Sequence, residues 1–166
     1  MNFNLQELKK GLELNTRKVK KYSNELSAEE RFFRPYEKVN HFIWHLGHLT
    51  YVRNTFIKLL DESKPTLSLF EGEEILFGRN SVLAENAAYP AVEIILDAFE
   101  NRGARISELL ESVSEEWLNQ ESFLKFGPNY ITNAEQVWFF YNHETEHLGE
   151  MKTVKNLAIR LREVQL

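Results

Sequence analysis

His143 and His147 stand four residues apart in the stretch Asn142-His143-Glu144-Thr145-Glu146-His147-Leu148-Gly149-Glu150-Met151. On a helix that spacing leaves them about 40° apart and one turn up, where two imidazoles can share one ion. The chain has five histidines, and the other three, His41, His45 and His48, sit together in one earlier helical stretch. Two helices side by side would aim both windows at one point. His48 falls on the stripe of Trp44, Val52, Thr55 and Leu59, and His143 and His147 on that of Phe140, Val154 and Leu161. One imidazole from the earlier helix and two from the later give three nitrogen ligands with a position left open, the arrangement of a working metal site. Zinc or nickel suits that set, with iron or manganese also in range. A lone core histidine is ordinarily a buried polar group with its own hydrogen-bond partner. Three on inner stripes need three partners, or one shared cation.

The remaining candidates have separate expectations. His41 is two turns from His48, about 10 Å along the axis, so it serves the cavity or a helix end and not the same ion. His45 is a reserve ligand, expected to face the surface. Glu150 shares the inner stripe and is the candidate catalytic carboxylate: it could orient a ligand, bind the metal, or act as base toward a thiol or water. Glu144 and Glu146 flank the stripe and are expected to be partly solvated. Trp44, Tyr51, Phe140 and Tyr141 are candidates to line an apolar pocket, though aromatics on helices more often form plain core.

His143-Glu144-Thr145-Glu146-His147 also matches H-E-x-x-H, the zinc-protease signature. The reading fails on its surroundings. A metzincin continuation needs Gly at 150 and His at 153, where this chain has Glu150 and Thr153. Glu163, the obvious returning acid, would lie about 24 Å from His147 along a continuing helix.

With no cysteine, disulfides, thiolate-held zinc, iron–sulfur clusters and a cysteine nucleophile are excluded. Any thiol chemistry needs an external thiol. A net charge of −5 argues against nucleic acid as a partner, and no apolar run of about twenty residues offers a membrane span. Met1-Asn2-Phe3-Asn4-Leu5 lacks the regions of a signal peptide, so a cytoplasmic location is expected. The 166 residues, 43% hydrophobic and 27% charged, suit one globular domain spanning 1–166.

The elements that would carry the histidines are helical. Leu5, Leu8, Leu12, Val19, Tyr22 and Leu26 form an amphipathic stripe. Ser27-Ala28-Glu29-Glu30 has the form of a capping box. Pro35 precedes a second helix expected from Glu37 to Asp61. A long connection from Glu62 to Tyr89 follows, punctuated by Pro65, Gly72 and Gly78, with Leu67, Leu69, Phe70, Ile75, Leu76 and Phe77 expected to pack on the bundle. A helix of 25 residues is about 37 Å long, and a connection of that size can travel back along it. A third helix is expected near Pro90, with Ile95, Leu96, Phe99, Ile106, Leu109 and Val113 inside. A short helix at Ser114-Glu115-Glu116-Trp117, a loop at Gly127-Pro128-Asn129 and a capping box at Thr132-Asn133-Ala134-Glu135 lead into the fourth. No strand is expected. The fold class is all-α, a four-helix bundle with a long crossover between helices 2 and 3.

Asn40-His41-Phe42-Ile43-Trp44-His45-Leu46-Gly47-His48-Leu49, followed by His143-Glu144-x-x-His147-Leu148-Gly149-Glu150, resembles the DinB/YfiT-like superfamily of four-helix metalloproteins. The likeness extends to Arg34-Pro35 and Leu76-Phe77-Gly78, so it covers nearly the whole chain. It implies an up-down-down-up course, frequent dimers, and a metal triad that falls on His48, His143 and His147. It also implies transferase or isomerase chemistry with a low-molecular-weight thiol. The expected function is therefore a divalent-metal-dependent enzyme, a transferase using such a thiol and a small-molecule substrate, working as a homodimer. The alternatives are a hydrolase using metal-activated water and a non-catalytic metal-binding bundle.

Overall fold

The computed structural model describes residues 4–63, 68–126 and 131–164. Pro65, Leu67 and the Gly127-Pro128-Asn129 loop lie outside the described residues. Among the described residues there are six α-helices: α1 (Leu5–Asn24), α2 (Phe42–Leu60), α3 (Glu73–Phe77), α4 (Val92–Glu111), α5 (Glu115–Asn119) and α6 (Asn133–Val164). Two 3₁₀ turns, Glu30–Phe32 and Asn86–Ala88, complete the set. The described residues contain no strand, only an isolated bridge between Glu121 and Thr132.

Local chemistry sets several boundaries. Asn4 caps α1 by accepting from the amides of Gln6 and Glu7. Both capping boxes form. The Glu30 amide donates to Ser27 Oγ and the Ser27 amide to Glu30 Oε2, and the same exchange joins Thr132 and Glu135. Two helices start later than expected. α2 begins at Phe42, not Glu37, because the His41 side chain accepts from the Trp44 amide and ends the extended approach. α4 begins at Val92 with Ala91 as its cap, so Pro90 lies before the helix and not at its first position.

The buried apolar residues fall into two clusters. One gathers Val19, Phe42, Trp44, Leu49, Phe77, Ile95, Phe99, Leu148 and Met151. The other gathers Leu8, Leu12, Phe56, Leu59, Ile106, Leu110, Val137 and Phe140. Between them Arg53 of α2 reaches a polar side chain on α1 and on α6 and a backbone carbonyl on α4. Its Nε and Nη2 donate to the two carboxylate oxygens of Glu144 at 2.8 and 2.9 Å. Nη1 donates to the Phe99 carbonyl at 2.6 Å, Nη2 also to Thr16 Oγ1 at 2.9 Å, and the guanidinium lies 3.4 Å over the Phe99 ring. One side chain thus ties α2 to α1, α4 and α6. Breaking such a buried pair from one side costs about 3–5 kcal/mol, because a charge is left without a partner.

The connection from α2 to α4 is fastened to the bundle by a second buried pair. Arg102 on α4 donates to both oxygens of Glu73, at 2.7 and 3.3 Å, and to the Thr50 carbonyl at 2.6 Å. Phe77 is fully buried, and its ring occupies the space that a side chain at Gly47 would need. Leu69, Phe70 and Leu76 pack beside it, but Ile75 is exposed, since α3 is a single turn with only one face toward the bundle. Leu161, expected on the inner stripe of α6, is also half exposed. Among the described residues no helix is long and apolar enough to cross a membrane.

Candidate functional site

α2 and α6 bring four imidazoles into one cluster. His48 Nε2 lies 3.0 Å from His143 Nε2, and His45 Nδ1 lies 3.0 Å from His147 Nδ1. The His48 and His147 rings are 4.8 Å apart, and those of His143 and His147 are 4.5 Å apart. Each of His48, His143 and His147 offers a ring nitrogen, and these three atoms lie within 4.8 Å of one another. Two nitrogens on one tetrahedral zinc, each at about 2.0–2.1 Å, stand roughly 3.3 Å apart, so the 3.0 Å between His48 and His143 is close to what an ion requires.

The surrounding chain prepares the donors. His48 Nδ1 donates to the Phe77 carbonyl at 2.7 Å, which leaves the Nε2 lone pair facing His143. His147 Nδ1 lies 2.9 Å from Glu150 Oε2, the contact that orients a ligating imidazole when its other nitrogen binds. Trp44 stacks on His48 with ring centroids 4.8 Å apart and planes 6° from parallel. Its Nε1 donates to Ser81 Oγ at 2.9 Å, so the connection between α2 and α4 holds the ring that covers His48.

Burial pushes every imidazole below the usual histidine range. His45 and His143 are lowered to about 4 and His147 to about 2, by desolvation first and then by neighbouring imidazoles. His48 is lowered by desolvation, opposed by the Phe77 carbonyl. All four are neutral near pH 7, the form that ligates a metal. Partial burial, then Glu146, raise the Glu150 carboxyl above its ordinary value. The donor set therefore fits a divalent cation: neutral imidazoles, one with its tautomer fixed and another held by a carboxylate.

The expected residues divide by location. His41 sits at the N-terminus of α2 as its cap, with Nδ1 3.0 Å from the Trp44 amide. His45, expected at the surface, is 3% exposed. Residues 42–50 are buried on every side, so α2 has no solvent face at that level to receive it. His45, His147 and Glu150 form a second group of possible ligand atoms, sharing His147 with the first. Glu144, expected to be partly solvated, is 3% exposed and engaged by Arg53. That pairing also occupies the carboxylate which a zinc-protease reading would need as a base. Glu146 and Glu150 are exposed.

Of the pocket candidates, Trp44 covers the imidazoles, and Tyr51 is half-buried against the apolar cluster that contains Trp44. Phe140 instead stacks on Phe56 at 4.8 Å in the other apolar cluster, and Tyr141 packs on Gly11 and Trp138. The aromatic that stacks on His143 is Phe139, at 5.8 Å and 13°. Sequence reasoning missed Phe139 and the Phe77 carbonyl. The first lies four residues before His143, a spacing that could have found it, whereas a backbone acceptor leaves no residue signal.

A cleft of about 620 Å³ opens beside the cluster. The 35–40 segment and α6 from Glu146 to Leu157 wall it, and His45, His147 and Glu150 reach its lining.

Comparison with known proteins agrees with the geometry in kind. The family model described as the DinB superfamily matches residues 12–151. A solved structure described as the conserved protein of a locus from Enterococcus faecalis superposes with a TM-score of 0.75 at 16% identity. The match covers 96% of this chain and 99% of that one, and at this identity it speaks for the fold. No curated protein sequence matches this chain.

Proposed function

We propose that this chain, which belongs to the DinB superfamily, is a divalent-metal-dependent transferase using a low-molecular-weight thiol, with its metal on His48, His143 and His147. The observation that carries the reading is the convergence of those three neutral imidazoles, with the His48 lone pair turned inward by the Phe77 carbonyl. Zinc or nickel suits the ligand set, with iron or manganese in range. When bound, such an ion supplies a Lewis acid that stabilises a thiolate, as it lowers the pKa of bound water. The chain's residues do the rest. Phe77 and Glu150 fix the rings of His48 and His147, Trp44 excludes water from one face, and the cleft admits the small-molecule substrate. In this reading the Glu150 carboxylate, exposed and of raised proton affinity, accepts the thiol proton.

Two alternatives use the same residues. Glu150 beside the cleft favours a hydrolase in which that carboxylate takes its proton from water, and a non-catalytic metal-binding bundle needs no cleft chemistry at all. His45 favours a variant reading of the ligand set, because it stands 3.0 Å from His147 within the second group. The same proposal takes the helices' course as up-down-down-up over a single domain. Its support is that α1 and α6 run from the Leu8 and Val137 cluster toward the other, while α2 and α4 run the opposite way. A homodimer and a cytoplasmic location complete it.

The test assays metal-loaded protein with a thiol and an alkyl electrophile, and separately with ester and amide substrates. Thiol-dependent turnover that disappears on metal removal supports the transferase. Thiol-independent ester hydrolysis supports the alternative, and no turnover with metal bound supports the binding bundle.

A further inference from the structure

The end of the histidine cluster nearest the cleft is a second set of donors. His45 Nδ1 on α2 lies 3.0 Å from His147 Nδ1 on α6 and 3.5 Å from Glu150 Oε2. His147 Nδ1 lies 2.9 Å from the same carboxylate oxygen. All three spacings are near the roughly 3.3 Å that separates two donors on one tetrahedral ion. Two imidazoles and a carboxylate are a set that divalent first-row cations accept. The helices fix it, since His147 and Glu150 are one turn apart on α6 and His45 is held across from them, 3% exposed, on α2.

The two groups differ in access. His45, His147 and Glu150 line the 620 Å³ cleft, whereas His48 and His143 are not among its lining residues. Trp44 lies over His48, and Phe139 over His143. A cation arriving through the cleft therefore meets the outer group first. Glu146, exposed on the same wall, adds a negative charge that favours its approach. His147 is common to both groups. A neutral imidazole has one free lone pair, so His147 serves one group at a time. Resting on the metal reading above, we propose that His45, His147 and Glu150 form a second, weaker divalent-cation site, which receives the ion from the cleft and yields it to His48 and His143. It is the weaker site because Glu150 is 58% exposed, where water screens the attraction of its carboxylate for the ion. Once the ion has passed inward, Glu150 is released to orient His147.

The probe is cobalt, whose visible absorbance reports binding to metal-free protein in stopped-flow mixing. His45→Phe removes one outer donor and keeps an aromatic ring in the core. Glu150→Gln removes another at an exposed position, and Glu146→Gln removes a charge but no ligand. His45→Phe and Glu150→Gln are expected to take up cobalt several-fold more slowly than wild type, and Glu146→Gln to be slowed less. Folded His45→Phe is expected to retain as much cobalt as wild type after gel filtration. His143→Ala is expected to bind cobalt in equilibrium dialysis and lose it on gel filtration, and adding His45→Phe to it to abolish most of the dialysis binding. Wild-type uptake rates in folded His45→Phe or in Glu150→Gln would overturn the proposal, as would equal slowing by Glu146→Gln and Glu150→Gln. Equal dialysis binding by His143→Ala with and without His45→Phe would do the same. Loss of retained cobalt in folded His45→Phe would also overturn it, by placing His45 in the tight ligand set. Retention separates the two failures. A wild type that keeps no cobalt through gel filtration defeats the metal reading and this proposal together, whereas one that keeps cobalt but loads indifferently to His45 and Glu150 defeats only this one.

Discussion

His48 uses one ring nitrogen to hold its place and presents the other to His143. Nδ1 donates to the Phe77 carbonyl at 2.7 Å, and Nε2 lies 3.0 Å from His143 Nε2. The arrangement ties the connection between α2 and α4 to the histidine cluster, since Phe77 reaches His48 through its backbone and Gly47 through its ring. Trp44, held by Ser81, closes the same side.

Gly47→Ala tests that coupling. A Cβ at Gly47 overlaps the Phe77 ring, so the crossover must shift, at a cost of about 1–3 kcal/mol for an overpacked core. The Phe77 carbonyl moves with it and leaves His48 less well oriented. Metal affinity is expected to fall about 10–100-fold, the usual effect of losing an outer partner. Chemical denaturation and metal titration of the same variant measure the two effects. Unchanged metal affinity in a destabilised protein would show that Phe77 only packs.

The Arg53–Glu144 pair predicts a non-additive pattern. Arg53→Met leaves Glu144 buried without its partner, and Glu144→Leu leaves Arg53 so, each at about 3–5 kcal/mol. The double variant is expected to lose clearly less than the sum. Urea denaturation of the four proteins closes the cycle, and simple additivity would count against the pair as the link between the helices.

His41 predicts a pH dependence separate from the metal ligands. Burial, then Arg34, lower its pKa to about 4 in the folded chain, against 6.5 for an exposed histidine. Between those values the unfolded state binds the extra proton. Stability is therefore complete above about pH 6.5 and declines as pH falls toward 4, by up to about 1.4 kcal/mol per pH unit for one group. His41→Asn keeps a capping side chain and removes the titration, so the slope over that window is expected to fall by about one proton. His41→Ala also loses the cap, about 0.5–2 kcal/mol at any pH. Stability curves from pH 4 to 7 for the metal-free proteins decide it. An unchanged slope in His41→Asn would mean that His41 titrates normally.

What the sequence disclosed depended on the range of the interaction. The capping boxes at Ser27 and Thr132 were legible because both partners lie within three residues. The i, i+4 spacing of His143 and His147 was legible for the same reason. Periodicity put His48 inside and His45 at the surface, and it failed for His45 because a stripe argument presumes a solvent face and residues 42–50 have none. Glu144 was misjudged because helical angle reveals direction but not partner. Arg53, 91 residues away, supplies the charge that makes burial affordable. The start of α2 was misplaced because histidine is an unusual cap.

The most direct test of the account is elemental analysis of purified protein after loading with a divalent metal and gel filtration. Wild type and the His48→Ala, His143→Ala and His147→Ala variants are compared, with folding checked by circular dichroism. The account predicts about one metal ion per chain in wild type and little or none in each folded variant. A wild type that retains no metal, or a His48→Ala protein that retains as much as wild type, would contradict it.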